Sequence, residues 1–118
     1  MVSKSTLVSF QDDGIAFIPG LFKTHVKSLR VGVQKNIDEP GPFAAENLKE
    51  GEEGRFFDDY CNWQRIDEFR DVVFDKNVAK TAAQLMQSKT VQLFHDHVLV
   101  KEAGTLKSTP WHTDGPYY

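Results

Sequence analysis

The chain has 118 residues, 40% of them hydrophobic, and a formal net charge of −3, which suits one small globular domain and argues against a disordered chain. Its 14 Lys and Arg are scattered among 17 Asp and Glu, leaving no basic stripe for nucleic acid or an anionic membrane surface. Cys61 is the single cysteine, which excludes an intrachain disulfide and fits a reducing compartment, so a soluble cytoplasmic protein is expected.

The opening MVSKSTLVSF is too short and too polar for a signal-peptide core, and no apolar run approaches the roughly 20 residues of a membrane span. LVSFQDDG predicts a short helical turn closed by Gly14, because glycine adopts the left-handed conformation at which helices end. IAFIPG reads as a strand ended by Pro19 and Gly20. Val26, Leu29, Val33 and Ile37 then fall at helical spacing, with Lys27, Arg30 and Lys35 on the other side, predicting an amphipathic helix over residues 23–37 that Gly32 weakens.

Residues 38–54 carry two Pro, three Gly and six acidic residues, so a surface loop is expected there. Two helices follow: RIDEFRDVVF sets Ile66, Phe69 and Val73 on one face, and NVAKTAAQLMQS does the same with Val78, Ala82, Leu85 and Met86, with Asn77 as its cap. From Thr90 the period changes to two, and TVQLFHDHVLVKEA has the β-branched and aromatic content of a strand. Its odd positions include His95, His97 and Lys101, and its even positions Asp96, Val98 and Glu102. Each face mixes polar and apolar side chains, as in the wall of a barrel with a polar interior. A connection containing Gly104 leads to WHTD, read as the next strand.

In an extended segment side chains at i and i+2 share a face, so His112 and Asp114 lean toward one ion while Thr113 faces away. An imidazole and a carboxylate, completed by a second imidazole, make the facial triad that holds iron(II) and leaves positions open for a co-substrate and dioxygen. Zinc more often takes a closed tetrahedron. The spacing H-x-D is weak alone, and its bland alternative is a solvated His and Asp pair. The rival is His95 and His97, which share a face and need a carboxylate from elsewhere; otherwise they are hydrogen-bonded groups lining an interior. No Ser stands in a nucleophile elbow, no Gly-rich loop is placed to cradle a phosphate, and Cys61 lacks a local signature, so hydrolase and kinase chemistry fall away.

The run QLFHDHVLVKEAGTLKSTPWHTDGPYY resembles the phytanoyl-CoA dioxygenase family of iron(II)- and 2-oxoglutarate-dependent oxygenases, in which a strand carrying D-H and K-E-P-G precedes T-P-W-H-x-D and an aromatic pair. DDGIAFIPGLF and NWQRIDEFRDVVFDKNVAKTAAQLMQS extend the likeness upstream. The resemblance implies an α+β fold, with N-terminal helices over residues 1–89 and the first core strands of a double-stranded β-helix, a jelly-roll barrel, over 90–118. It implies iron(II) at His112 and Asp114, and 2-oxoglutarate against His97 and Arg65. It gives Lys101, at the end of the strand, no assigned role. Ala103 departs from the family's Pro, and Gly115 and Tyr118 stand where a longer polar residue and a Trp are common. The family's distal His and its Arg for the far carboxylate of 2-oxoglutarate lie further downstream than Tyr118. The expectation is therefore the N-terminal portion of a dioxygenase that takes dioxygen and a small organic substrate, inactive as this piece alone. The competing expectation is a non-enzymatic binding or scaffold domain derived from the same fold.

Overall fold

Ser3 starts the first helix by accepting a hydrogen bond from the Thr6 amide at 3.1 Å, and Gly14, at φ 72°, ends it, so α1 runs Lys4–Asp13. The computed structural model describes residues 2–113 and 115. α2 (Val26–Asp38) follows, then β1 (Ala45–Glu46), β2 (Phe56–Tyr60), α3 (Asp67–Val73), α4 (Lys76–Leu85) and β3 (His97–Lys101). The protein is α+β: four helices and one antiparallel sheet in the order β1-β2-β3 among the described residues. No helix is long and apolar enough to cross a membrane among those residues.

Several elements differ from the sequence reading. Residues 15–18 form no strand; Ile15 and Phe17 are exposed, so the apolar run has no neighbouring strand to pair with. The loop over 38–54 holds β1, and FFDDY, unassigned from sequence, is the central strand β2. Two of the three strands thus lie within the stretch expected to be helical. Asp75, not Asn77, caps α4, its carboxylate accepting from the Asn77 amide at 2.7 Å. The strand expected from Thr90 begins only at His97, and residues 105–113 have no regular structure, so the expected WHTD strand is not seen over its described residues.

Gly32 has a packing reason. A Cβ there would lie 2.8 Å from Phe69 Cε1 and 2.9 Å from Glu68 Cβ, so the missing side chain lets α3 seat its Phe69 ring against α2. Among the described residues Phe56, Phe57, Ile66 and Phe69 are the buried apolar ones, few enough that polar groups carry much of the interior. Helices α2 to α4 and residues 91–99 enclose an open apolar groove of about 670 Å³, lined by Leu29, Val33, Phe69, Val78 and Val98 among others.

Candidate functional site

Strand pairing sorts the functional side chains onto two faces. Tyr60 pairs with His97, Asp58 with Leu99 and Phe56 with Lys101, and directly opposed residues share a face. Asp59, opposite Val98, and Phe57, opposite Val100, point the other way, toward the helices.

On the helical side Asp59 is fully buried. Its Oδ2 accepts from Asn36 Nδ2 of α2 and from the Gly41 amide, both at 2.7 Å. A Cβ on Gly41 would sit 2.5 Å from Asn62 Oδ1 and 2.9 Å from Asp59 Oδ2, so only glycine lets the backbone come this close. Burial by itself pushes the Asp59 carboxyl up, but the hydrogen bonds from Asn36, Gly41, Asn62 and the Tyr60 backbone outweigh it and hold the group below its usual value. Arg65 joins this network: its Nε donates to Asn62 Oδ1 at 2.6 Å, and its guanidinium lies 3.7 Å from Asp59. Arg65 is 35% exposed in its side chain and borders a hollow shared with Lys35, Asp38 and Glu39.

Asp96, just before β3, ties that segment to the turn after β2. Its carboxylate accepts from the Asn62 and Trp63 amides at 3.0 and 3.1 Å, and its carbonyl accepts from the Cys61 amide at 3.0 Å. That contact holds Cys61 in a left-handed conformation, φ 62°, which turns the chain out of β2 toward Arg65.

On the opposite face His97 Nε2 lies 3.4 Å from Asp58 Oδ2, and its ring packs 4.4 Å from the Tyr60 ring centroid. The His95 ring is 6.5 Å from that of His97 and meets Tyr60 edge-on at 6.0 Å. Lys101 covers the Phe56 ring at 4.9 Å. Arg65 and His97 therefore stand on opposite sides of the sheet, each engaged by a different carboxylate of the Asp58–Asp59 pair.

His112 lies in the exposed segment after Gly104, with Nδ1 2.8 Å from the Pro110 carbonyl oxygen. A carbonyl only accepts, so Nδ1 carries the proton and, in the neutral ring, Nε2 carries the lone pair. This is the arrangement in which histidines ligate metals, and the imidazole and carboxylate of H-x-D are donors that suit iron(II). Asp114 lies outside the described residues, so the His112 and Asp114 pairing does too. Among the described residues no three His, Cys, Asp or Glu form a group able to hold a metal ion.

Sequence reasoning missed Asp58, Asp59, Asn36 and Asn62. The signal was present in FFDDY, where two carboxylates interrupt an apolar run, a pattern that a buried strand tolerates only when both acids have partners.

The family model for phytanoyl-CoA dioxygenase (PhyH) matches residues 10–118. No curated protein and no solved structure matches the chain.

Proposed function

From the premise that the chain belongs to the phytanoyl-CoA dioxygenase family, we propose that it carries the N-terminal portion of an iron(II)- and 2-oxoglutarate-dependent dioxygenase that hydroxylates a small organic substrate. Iron(II), when bound, supplies activation of dioxygen coupled to conversion of 2-oxoglutarate into succinate and carbon dioxide. The three-stranded sheet is, in this reading, the start of a double-stranded β-helix.

The chain's own residues have distinct parts. His112 offers iron its Nε2 lone pair, oriented by the Nδ1 hydrogen bond to Pro110, and Asp114 supplies the carboxylate two residues on. His97 contacts the co-substrate from the sheet face it shares with Asp58 and Tyr60. Arg65, tied to Asn62 and near Asp59, contributes a second cation on the other side, and its assignment to the same co-substrate requires a path around the C-terminal end of β2.

The observation that carries the proposal is that the family match runs through the whole of the WHTD segment. The test is iron-dependent release of succinate from 2-oxoglutarate. The expected result is no turnover by residues 1–118 alone and turnover by a longer chain that adds a second metal-binding His and a carboxylate-binding Arg, abolished by Asp114→Ala. Robust succinate formation by residues 1–118 would place the whole site within them.

A further inference from the structure

Asp58 has no part in the reading above, yet it is built into the same face as His97. It is nearly buried, with 13% of its side chain exposed. Its Oδ1 accepts from Asn47 Nδ2 at 2.9 Å. Asn47 is itself fixed, because its amide and its Nδ2 both donate to the Phe56 carbonyl, at 2.7 and 3.1 Å. The clamp leaves Oδ2 facing His97 Nε2 at 3.4 Å, while Tyr60 packs against the imidazole. We propose that Asp58, carried by Asn47, is a positioning residue: it holds the His97 ring through Nε2–H and so sets how the ring is presented to the co-substrate.

An ionised carboxylate only accepts, so the nitrogen beside it carries a proton. Holding the ring at Nε2 also fixes the direction in which its Nδ1 edge is presented. The titratable groups facing the ring are Asp58 and Tyr60 from β2 and His95 from the segment entering β3. Lys101 lies further along β3, over Phe56. That His97 meets the co-substrate rests on the function proposed above; the contact between Asp58 and His97 does not.

The experiment is nitrogen-resolved NMR of the histidine rings in residues 1–118. The expected result is a His97 Nε2–H protected from exchange with water, lost in Asp58→Ala and weakened in Asn47→Ala. If Asp58→Ala fails to fold, Asn47→Ala decides. A wild-type proton on Nδ1 instead, or unaltered protection in the folded variants, overturns the role of Asp58. In a longer chain that binds 2-oxoglutarate, Asp58→Ala should weaken that binding several-fold, and unchanged binding overturns the positioning role. His97→Gln without effect on the same binding overturns the co-substrate assignment of His97, while the Nε2–H signal still decides the contact with Asp58.

Discussion

Asp58 and Asp59 are consecutive in β2 and serve opposite sides of the sheet: Asp59 anchors α2 and the Gly41 turn, and Asp58 faces His97. The alternation of a strand makes this division unavoidable. One carboxylate is therefore bound to the stability of the domain and the other to the chemistry of its open face.

Asp59→Ala should cost about 3–5 kcal/mol, because it strands the Asn36 and Gly41 donors in a buried position. Urea denaturation measures it. The pH dependence has a definite sign: the folded carboxyl is held below its usual value, so its stabilisation is fully present above the unfolded value and is lost as pH falls through the folded one. The stability difference between wild type and Asp59→Asn should shrink accordingly in acid.

Gly32→Ala improves intrinsic helix propensity by about 1 kcal/mol but should destabilise the protein by about 1–3 kcal/mol, since the new Cβ meets Phe69 and the Glu68 Cβ rather than a flexible side-chain end. Trimming the ring with Phe69→Leu in the Gly32→Ala background should recover part of the loss. A thermal melt showing Gly32→Ala more stable than wild type would mean that α2 and α3 do not approach as described.

Cys61 sits at φ 62°, where a side chain is strained and glycine is not. Cys61→Gly should therefore leave the protein as stable or raise its stability by up to about 1 kcal/mol, whereas Cys61→Val should lower it, as a β-branched residue tolerates this conformation worst. Denaturant midpoints of the two variants decide the matter.

His25 and Asp75 join the start of α2 to the start of α4 at 2.7 Å. The His25 hydrogen bond, with help from the Asn77 amide, holds the Asp75 carboxyl below its usual value. Its contribution is present above the ordinary aspartate value and disappears as pH falls through the lower, folded one. Amide exchange near residues 22–29 should speed up in Asp75→Asn at neutral pH, and the contrast with wild type should fade in acid.

Chelation of metal should abolish iron-dependent turnover in an active, longer chain without unfolding it. His112 is exposed in a segment without regular structure, whereas Phe57, Phe69 and Asp59 are buried, so the core should not depend on the ion. Circular dichroism before and after chelator, beside a succinate assay, checks both halves.

The sequence by itself determined the helices and the family, because those signals are local. Apolar side chains at helical spacing declare α2, α3 and α4, the left-handed preference of glycine ends α1 at Gly14, and the T-P-W-H-x-D run stands together in the chain. The sheet was decided by tertiary structure. FFDDY looks too acidic for a central strand until Asn36 and Gly41 on one side and Asn47 on the other supply its hydrogen bonds, from positions far from Asp58 and Asp59 in sequence. IAFIPG shows the converse, a strand-like run with no partner strand, and therefore no ladder to hold it extended. The separation of Arg65 from His97 likewise followed from pairing register alone, since Asp59 opposite Val98 and Tyr60 opposite His97 are relations between strands that no single segment encodes.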